Sequence, residues 1–135
     1  MSSWEDVRRI ALALPETTEG TAHGNMQWAV NKKGFVWERP LRKSDLEALG
    51  ERAPKGPILG VHAEHLGIKD VLLESNPDVY FTTPHFDGYP SVLVRLERID
   101  LEELQEVITD AWLARAPTRL TKQWLAQHRG APGST

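Results

Sequence analysis

The chain has no cysteine, and that absence removes a great deal at once. Disulfides, thiolate zinc sites, iron–sulfur clusters and a cysteine nucleophile are all excluded. No apolar run approaches the roughly 20 residues that cross a bilayer as a helix. The opening Met1-Ser2-Ser3-Trp4-Glu5-Asp6 lacks the basic start and apolar stretch of a secretory signal, so a cytoplasmic protein with no membrane partner is expected. An excess of positive charge is also missing: the formal net charge is −3 and the pI about 5.9. Domains held on nucleic acid by bulk electrostatics are usually strongly basic, so any such contact here must come from a local face. Gly56, Gly60 and Gly67 form neither a Walker loop nor a dinucleotide fingerprint, which argues against nucleotide-driven chemistry.

What remains has the make-up of an ordinary globular domain, with 40% hydrophobic and 26% charged residues in 135. One domain over residues 1–135 is expected, with its core at about 4–125 and Arg129 to Thr135 as a frayed tail. Ser3 and Asp6 have capping-box spacing, and Trp4, Val7, Ile10, Ala11 and Leu14 follow at helical spacing until Pro15. Glu16 to Gly24 is polar and turn-rich and reads as a loop. Gln27–Val30 and Gly34–Glu38 read as a hairpin joined through Asn31-Lys32-Lys33-Gly34, with Phe35 and Trp37 on one face.

Ser44 caps a short helix running to Gly50. Ile58–His62 reads as a strand, Ile68–Ser75 as a short helix, and Val79–Thr82 as extended chain. Val92, Val94 and Leu96 then line one face of another strand. Asp100 with Glu103 opens a long helix carrying Leu104, Val107, Ile108, Ala111 and Trp112, and a last short helix holds Leu120 and Trp124. This order predicts an α+β fold, an antiparallel sheet with the long helices on one face. The polar alternates Gln27, Glu38, His62 and Arg95 suit a sheet covered on one side only.

Few residues suggest chemistry. His62 and His65 share no helical face, and no other histidine or carboxylate stands at a recognised ligand spacing, so no metal and no cofactor are expected. The segment Phe81-Thr82-Thr83-Pro84-His85-Phe86-Asp87-Gly88-Tyr89-Pro90 gathers a histidine, an aspartate and two threonines. No nucleophile elbow or oxyanion pattern accompanies them. The two prolines and the glycine make it a structural corner, and no catalytic residue is assigned. Acidic side chains gather on the long helix as Glu102, Glu103, Glu106 and Asp110; in a first turn, carboxylates also simply favour the helix dipole.

Basic residues show more pattern. Lys32 and Lys33 sit at a hairpin tip, with Arg39, Arg42 and Lys43 beyond the second strand, and Arg115, Arg119, Lys122 and Arg129 cluster towards the C-terminus. A tip with two lysines can lay cations along a phosphate backbone without reading sequence.

Leu12-Ala13-Leu14-Pro15-Glu16, Glu19-Gly20, Gly34-Phe35-Val36, the run from Asn76 to His85, Gly88-Tyr89-Pro90 and Val92-Leu93-Val94-Arg95-Leu96, with Asp110-Ala111-Trp112, Arg115-Ala116-Pro117 and Arg119-Leu120, together resemble the MmcQ/YjbR family, a domain of unknown function. The likeness covers about residues 4 to 125. It implies a frataxin-like (CyaY-like) α+β fold and a DNA-binding role through wing-like hairpins, with no catalytic residues to carry over. The stretch from Trp37 to Leu46 departs from the family's shorter pattern. A non-enzymatic protein that contacts double-stranded DNA through Lys32, Lys33, Arg39, Arg42 and Lys43 is therefore expected. The alternative is a small-molecule or protein interaction module with a pocket at Thr83, His85, Tyr89 and Arg95.

Overall fold

The computed structural model describes residues 2–54, 56–86 and 88–128. The expected tail from Arg129 onward and Asp87 of the corner lie outside these residues. Six strands form one antiparallel sheet in the order β1-β2-β3-β4-β6-β5. They are β1 (Thr17–Ala22), β2 (Asn25–Val30), β3 (Lys33–Glu38), β4 (Ile58–His62), β5 (Tyr80–Phe81) and β6 (Ser91–Arg95). Five helices accompany them: α1 (Trp4–Leu12), α2 (Lys43–Leu49), α3 (Leu66–Ser75), α4 (Leu101–Arg115) and α5 (Thr118–Gln127). The fold is α+β, as the sequence predicts.

Local chemistry explains most boundaries. The Ser3 hydroxyl accepts from the Asp6 N–H and the Asp6 carboxylate accepts from the Ser3 N–H, a complete capping box at α1. At α4 the box is half used. Asp100 accepts from the Glu103 N–H at 2.8 Å, but the Glu103 carboxylate turns away and accepts from the Tyr80 hydroxyl. The short helix α2 begins one residue before Ser44: its N-cap is Arg42, whose N–H is held by the Asp45 carboxylate at 2.9 Å. His65 caps α3 by accepting the Gly67 N–H on Nδ1.

Two expectations give way. The segment read as a loop contains β1, an edge strand paired in full register with β2. Its Thr-Thr-Glu-Gly-Thr-Ala sequence carries no apolar alternation because the strand is mostly solvated. Glu19 ties it down, accepting from the Trp28 indole at 3.0 Å and from Arg8 at 2.9 Å. The second correction concerns Phe35. In the β2–β3 register Gly34 faces Ala29 and Val36 faces Trp28, so Phe35 is an extra residue. A bulge of this kind breaks strict alternation. Phe35 and Val36 both enter the main core, and Phe35 does not share a face with Trp37.

The main core lies between the sheet and α1 and α4, with Trp28, Phe35, Leu59, Val94, Ile108 and Trp112 at its centre. Fully burying a large aliphatic or aromatic side chain contributes about 1.5–3 kcal/mol, and this layer is the chief source of stability. The other face is not bare, as the polar alternates had suggested. Ile58, Phe81 and Leu93 form a second cluster there, covered by Leu41, Leu49 and Phe86. Trp37 lies flat over Gly60 on the same side, where an added Cβ would meet the indole at 2.3 Å.

Candidate functional site

The five basic residues expected to face phosphate do not form one surface. Lys32 and Lys33 are exposed at the tip between β2 and β3. Asn31 and Lys32 both take positive φ, 51° and 65°, the geometry of a type I′ turn. Arg42 and Lys43 are also exposed, but they follow the far end of β3. Six extended residues place the two pairs about 17 Å apart or more.

Arg39 leaves the set altogether. It is 6% exposed, lies 3.0 Å from the Asp45 carboxylate, and stands over the Phe86 ring at 5.1 Å. A guanidinium so enclosed cannot reach a phosphate. Burial works to raise the Asp45 pKa, but the Arg42 N–H and the Arg39 charge outweigh it, and the carboxyl is held below its usual range.

The tip has a further basic residue at its end of the sheet, Arg119, held in an ion pair. Glu16, just before β1, pairs with Arg119 of α5 at 3.3 Å. Thr17 faces Val30 across β1 and β2, and Val30 faces Lys33 across β2 and β3. Arg119 therefore stands at the same end of the sheet as Lys32 and Lys33. Sequence alone shows Arg119 as a cation and does not place it beside the hairpin.

The corner at Thr83 to Pro90 is a structural device. Lys69, from the buried side of α3, donates to the carbonyls of Phe86 at 2.7 Å and Tyr89 at 3.0 Å. Thr83 is 1% exposed beneath it, whereas Tyr89 is 62% exposed. His85 is exposed and meets Phe86 edge to face. Arg95 lies over the Phe81 ring at 4.4 Å and donates to the Pro77 carbonyl. Among the described residues the contacts of His85 and Arg95 are separate, one with Phe86 and the other with Phe81 and Pro77.

Two cavities lie away from the corner. A cleft of about 780 Å³ opens between α3 and α4, with Ile68, Leu72, Val107 and Ala111 among its apolar lining and Tyr80 and His62 beside them. A smaller one of about 410 Å³ lies near Trp4, Asn25, Glu38 and Leu46. None of Thr83, His85, Tyr89 and Arg95 lines either. Six carboxylates line the larger cleft (Glu64, Asp100, Glu102, Glu103, Glu106 and Asp110), and among the described residues no lysine or arginine does.

Burial, and then the charge of Arg115, push the His62 pKa down to about 4, so its ring is neutral at pH 7. Burial also pushes the Tyr80 phenol up, and its hydrogen bond to Glu103 adds to the effect. Among the described residues no three His, Asp or Glu side chains converge as metal ligands. The acids are strung along a helix, not gathered at a point. Periodicity could have found their shared face, but not the α3 wall opposite.

Comparison with known proteins agrees with this architecture. The YjbR family model matches residues 12–114. The uncharacterized protein Rv2570 of Mycobacterium tuberculosis and the uncharacterized protein Mb2600 of Mycobacterium bovis are each 51% identical over 129 residues, covering 93% of this chain and 98% of the relative. In fold, the chain is similar to the crystal structure of Deinococcus radiodurans protein DR2400, a DUF419 domain, with a TM-score of 0.63. That match has 14% sequence identity and covers 96% of this chain and 82% of the other. With the family model spanning most of the chain, this protein belongs to the YjbR family.

Proposed function

We propose that the protein is a non-enzymatic binding module that contacts the phosphate backbone of double-stranded DNA with one end of its sheet. The observation that carries this reading is the exposed Lys32–Lys33 pair on a fixed type I′ tip. A lysine at positive φ is unfavourable where glycine or asparagine would serve the turn better. A lysine in that position suits a role for its charge. Arg119 extends the same footprint, while Arg39 is withdrawn from it and Arg42 and Lys43 lie outside it.

The net charge of −3 does not oppose this arrangement, because six carboxylates are gathered at the α3–α4 cleft. The contact is sequence-independent, since cations on a hairpin tip position a backbone and read no base edges.

The test is fluorescence anisotropy of a labelled duplex across a salt series. Each phosphate contact contributes about 0.9 to the slope of log K against log salt. Replacing Lys32 and Lys33 together by alanine is expected to lower its magnitude by about 1.8, and Arg119→Ala by about 0.9 more. Arg42→Ala/Lys43→Ala is expected to leave it unchanged. Absence of binding at low salt, or a slope indifferent to Lys32 and Lys33, would refute the proposal.

A further inference from the structure

We propose that the cleft between α3 and α4 is a docking groove for a basic amphipathic helix of a partner protein. The groove has two chemistries in layers. Its floor is apolar: Val107 and Ala111 are buried, and Ile68 and Leu72 stand opposite on α3. Its lip is acidic: Glu102, Glu106 and Asp110 recur at four-residue steps along the exposed side of α4. On a helix that spacing puts them in one row, rising about 6 Å per step.

The size suits a helix. The walls are a 10-residue and a 15-residue helix, about 15 and 22 Å long, enough to seat three or four turns of a partner. An apolar stripe at i, i+3, i+4 and i+7 would meet the floor, as in other helix-in-groove complexes. Lysines or arginines flanking the stripe would meet the lip.

Charge selects the occupant. Six carboxylates line the cleft against the single charge of Arg115 acting on His62 at one end, so an acidic segment or a nucleic acid is repelled. A metal ion is a poor fit because the acids do not converge. A compact organic cation would satisfy part of the lip but leave the apolar surface of α3 in water. That surface extends past the floor, with Ile68 38% and Val71 59% exposed. A second protein surface covers both.

The probe is a labelled peptide of about 18 residues, five turns, with leucines at helical spacing on one side and lysines on the other. A scrambled peptide of the same composition is the control. The designed peptide is expected to bind at least tenfold more tightly than the scramble, a gap of about 1.4 kcal/mol. Ile68→Asp and Glu102→Lys/Glu106→Lys are each expected to weaken binding at least tenfold. All three positions are exposed, so far-UV circular dichroism should show the fold retained. Lys32→Glu/Lys33→Glu should leave peptide binding unchanged, which separates this groove from the proposed DNA surface.

Equal binding of the scramble, or indifference to both groove variants, would overturn the proposal. So would sedimentation showing a dimer that Ile68→Asp dissociates, since the occupant would then be a second copy of this chain.

Discussion

Replacing Arg39 by methionine separates the two roles that a cation at this position can have. The structure encloses the side chain: Arg39 and Asp45 side chains are 7% and 2% exposed, and they meet at 3.0 Å. Methionine keeps much of the volume over Phe86 but strands the Asp45 carboxylate. Removing one partner of a buried pair costs about 3–5 kcal/mol, because the remaining charge is left without compensation. For 135 residues at roughly 2.1 cal/mol/K each, the unfolding entropy is about 0.28 kcal/mol/K, so Tm should fall by about 11–18 °C. Calorimetry or a thermal melt reads that shift.

Arg39→Met/Asp45→Asn should recover part of the loss, since asparagine still accepts the Arg42 N–H without carrying a charge. In the duplex assay, Arg39→Met should leave the salt slope alone at temperatures where it is folded. A loss below about 1 kcal/mol would show that burial of the pair carries no such penalty. A reduced salt slope in a stable variant would return Arg39 to the phosphate surface.

His62 makes the protein sensitive to mild acid. The folded chain keeps it neutral down to about pH 4, whereas the unfolded chain takes up a proton near its ordinary value of 6.5. Between those values the unfolded state binds more protons, so stability rises with pH across the window and is fully present above it. From pH 5 to 7 the unscreened gain is roughly 2 kcal/mol, and about 1 kcal/mol once partial solvent exposure is allowed. Urea titrations at the two pH values should show it, and His62→Gln should abolish most of it; an unchanged difference in the variant would assign the effect elsewhere. Lys69→Met should cost about 3 kcal/mol, because two corner carbonyls lose a charged donor. Hydrogen exchange should quicken at Phe86 and Tyr89 first, and a loss below about 1 kcal/mol with unchanged exchange would mean Lys69 is not what holds the corner.

The elements legible in the sequence are those whose burial is periodic. Leu104, Val107, Ile108, Ala111 and Trp112 announce α4, and Val92 and Val94 announce β6, because one side of each faces the main core. β1 escaped because its side chains are mostly solvated and its pairing is a property of β2, which no local pattern carries. Its signal was the turn at His23-Gly24, where both residues take positive φ, read together with three threonines.

The sites were less legible for a related reason. Composition names cations and acids but not their neighbours. Arg39 looked like one more surface cation after a strand. Its partner stood six residues on, at the start of a helix that buries Asp45 while leaving Leu46 47% exposed. That reversal of the usual order, an acid inward and a leucine outward, is explained by the guanidinium on the far side. The cleft needs α3 and α4 to stand across from each other, with β5, the corner and β6 between them in sequence, an arrangement that only the sheet order fixes. Charge separation follows from the same topology. α4 presents its acidic row toward α3 along the cleft, while its C-terminal end delivers α5, and with it Arg119, to the hairpin tip. A net charge of −3 therefore averages two opposed surfaces. Each proposed partner is matched to the charge of one surface, not to the sum.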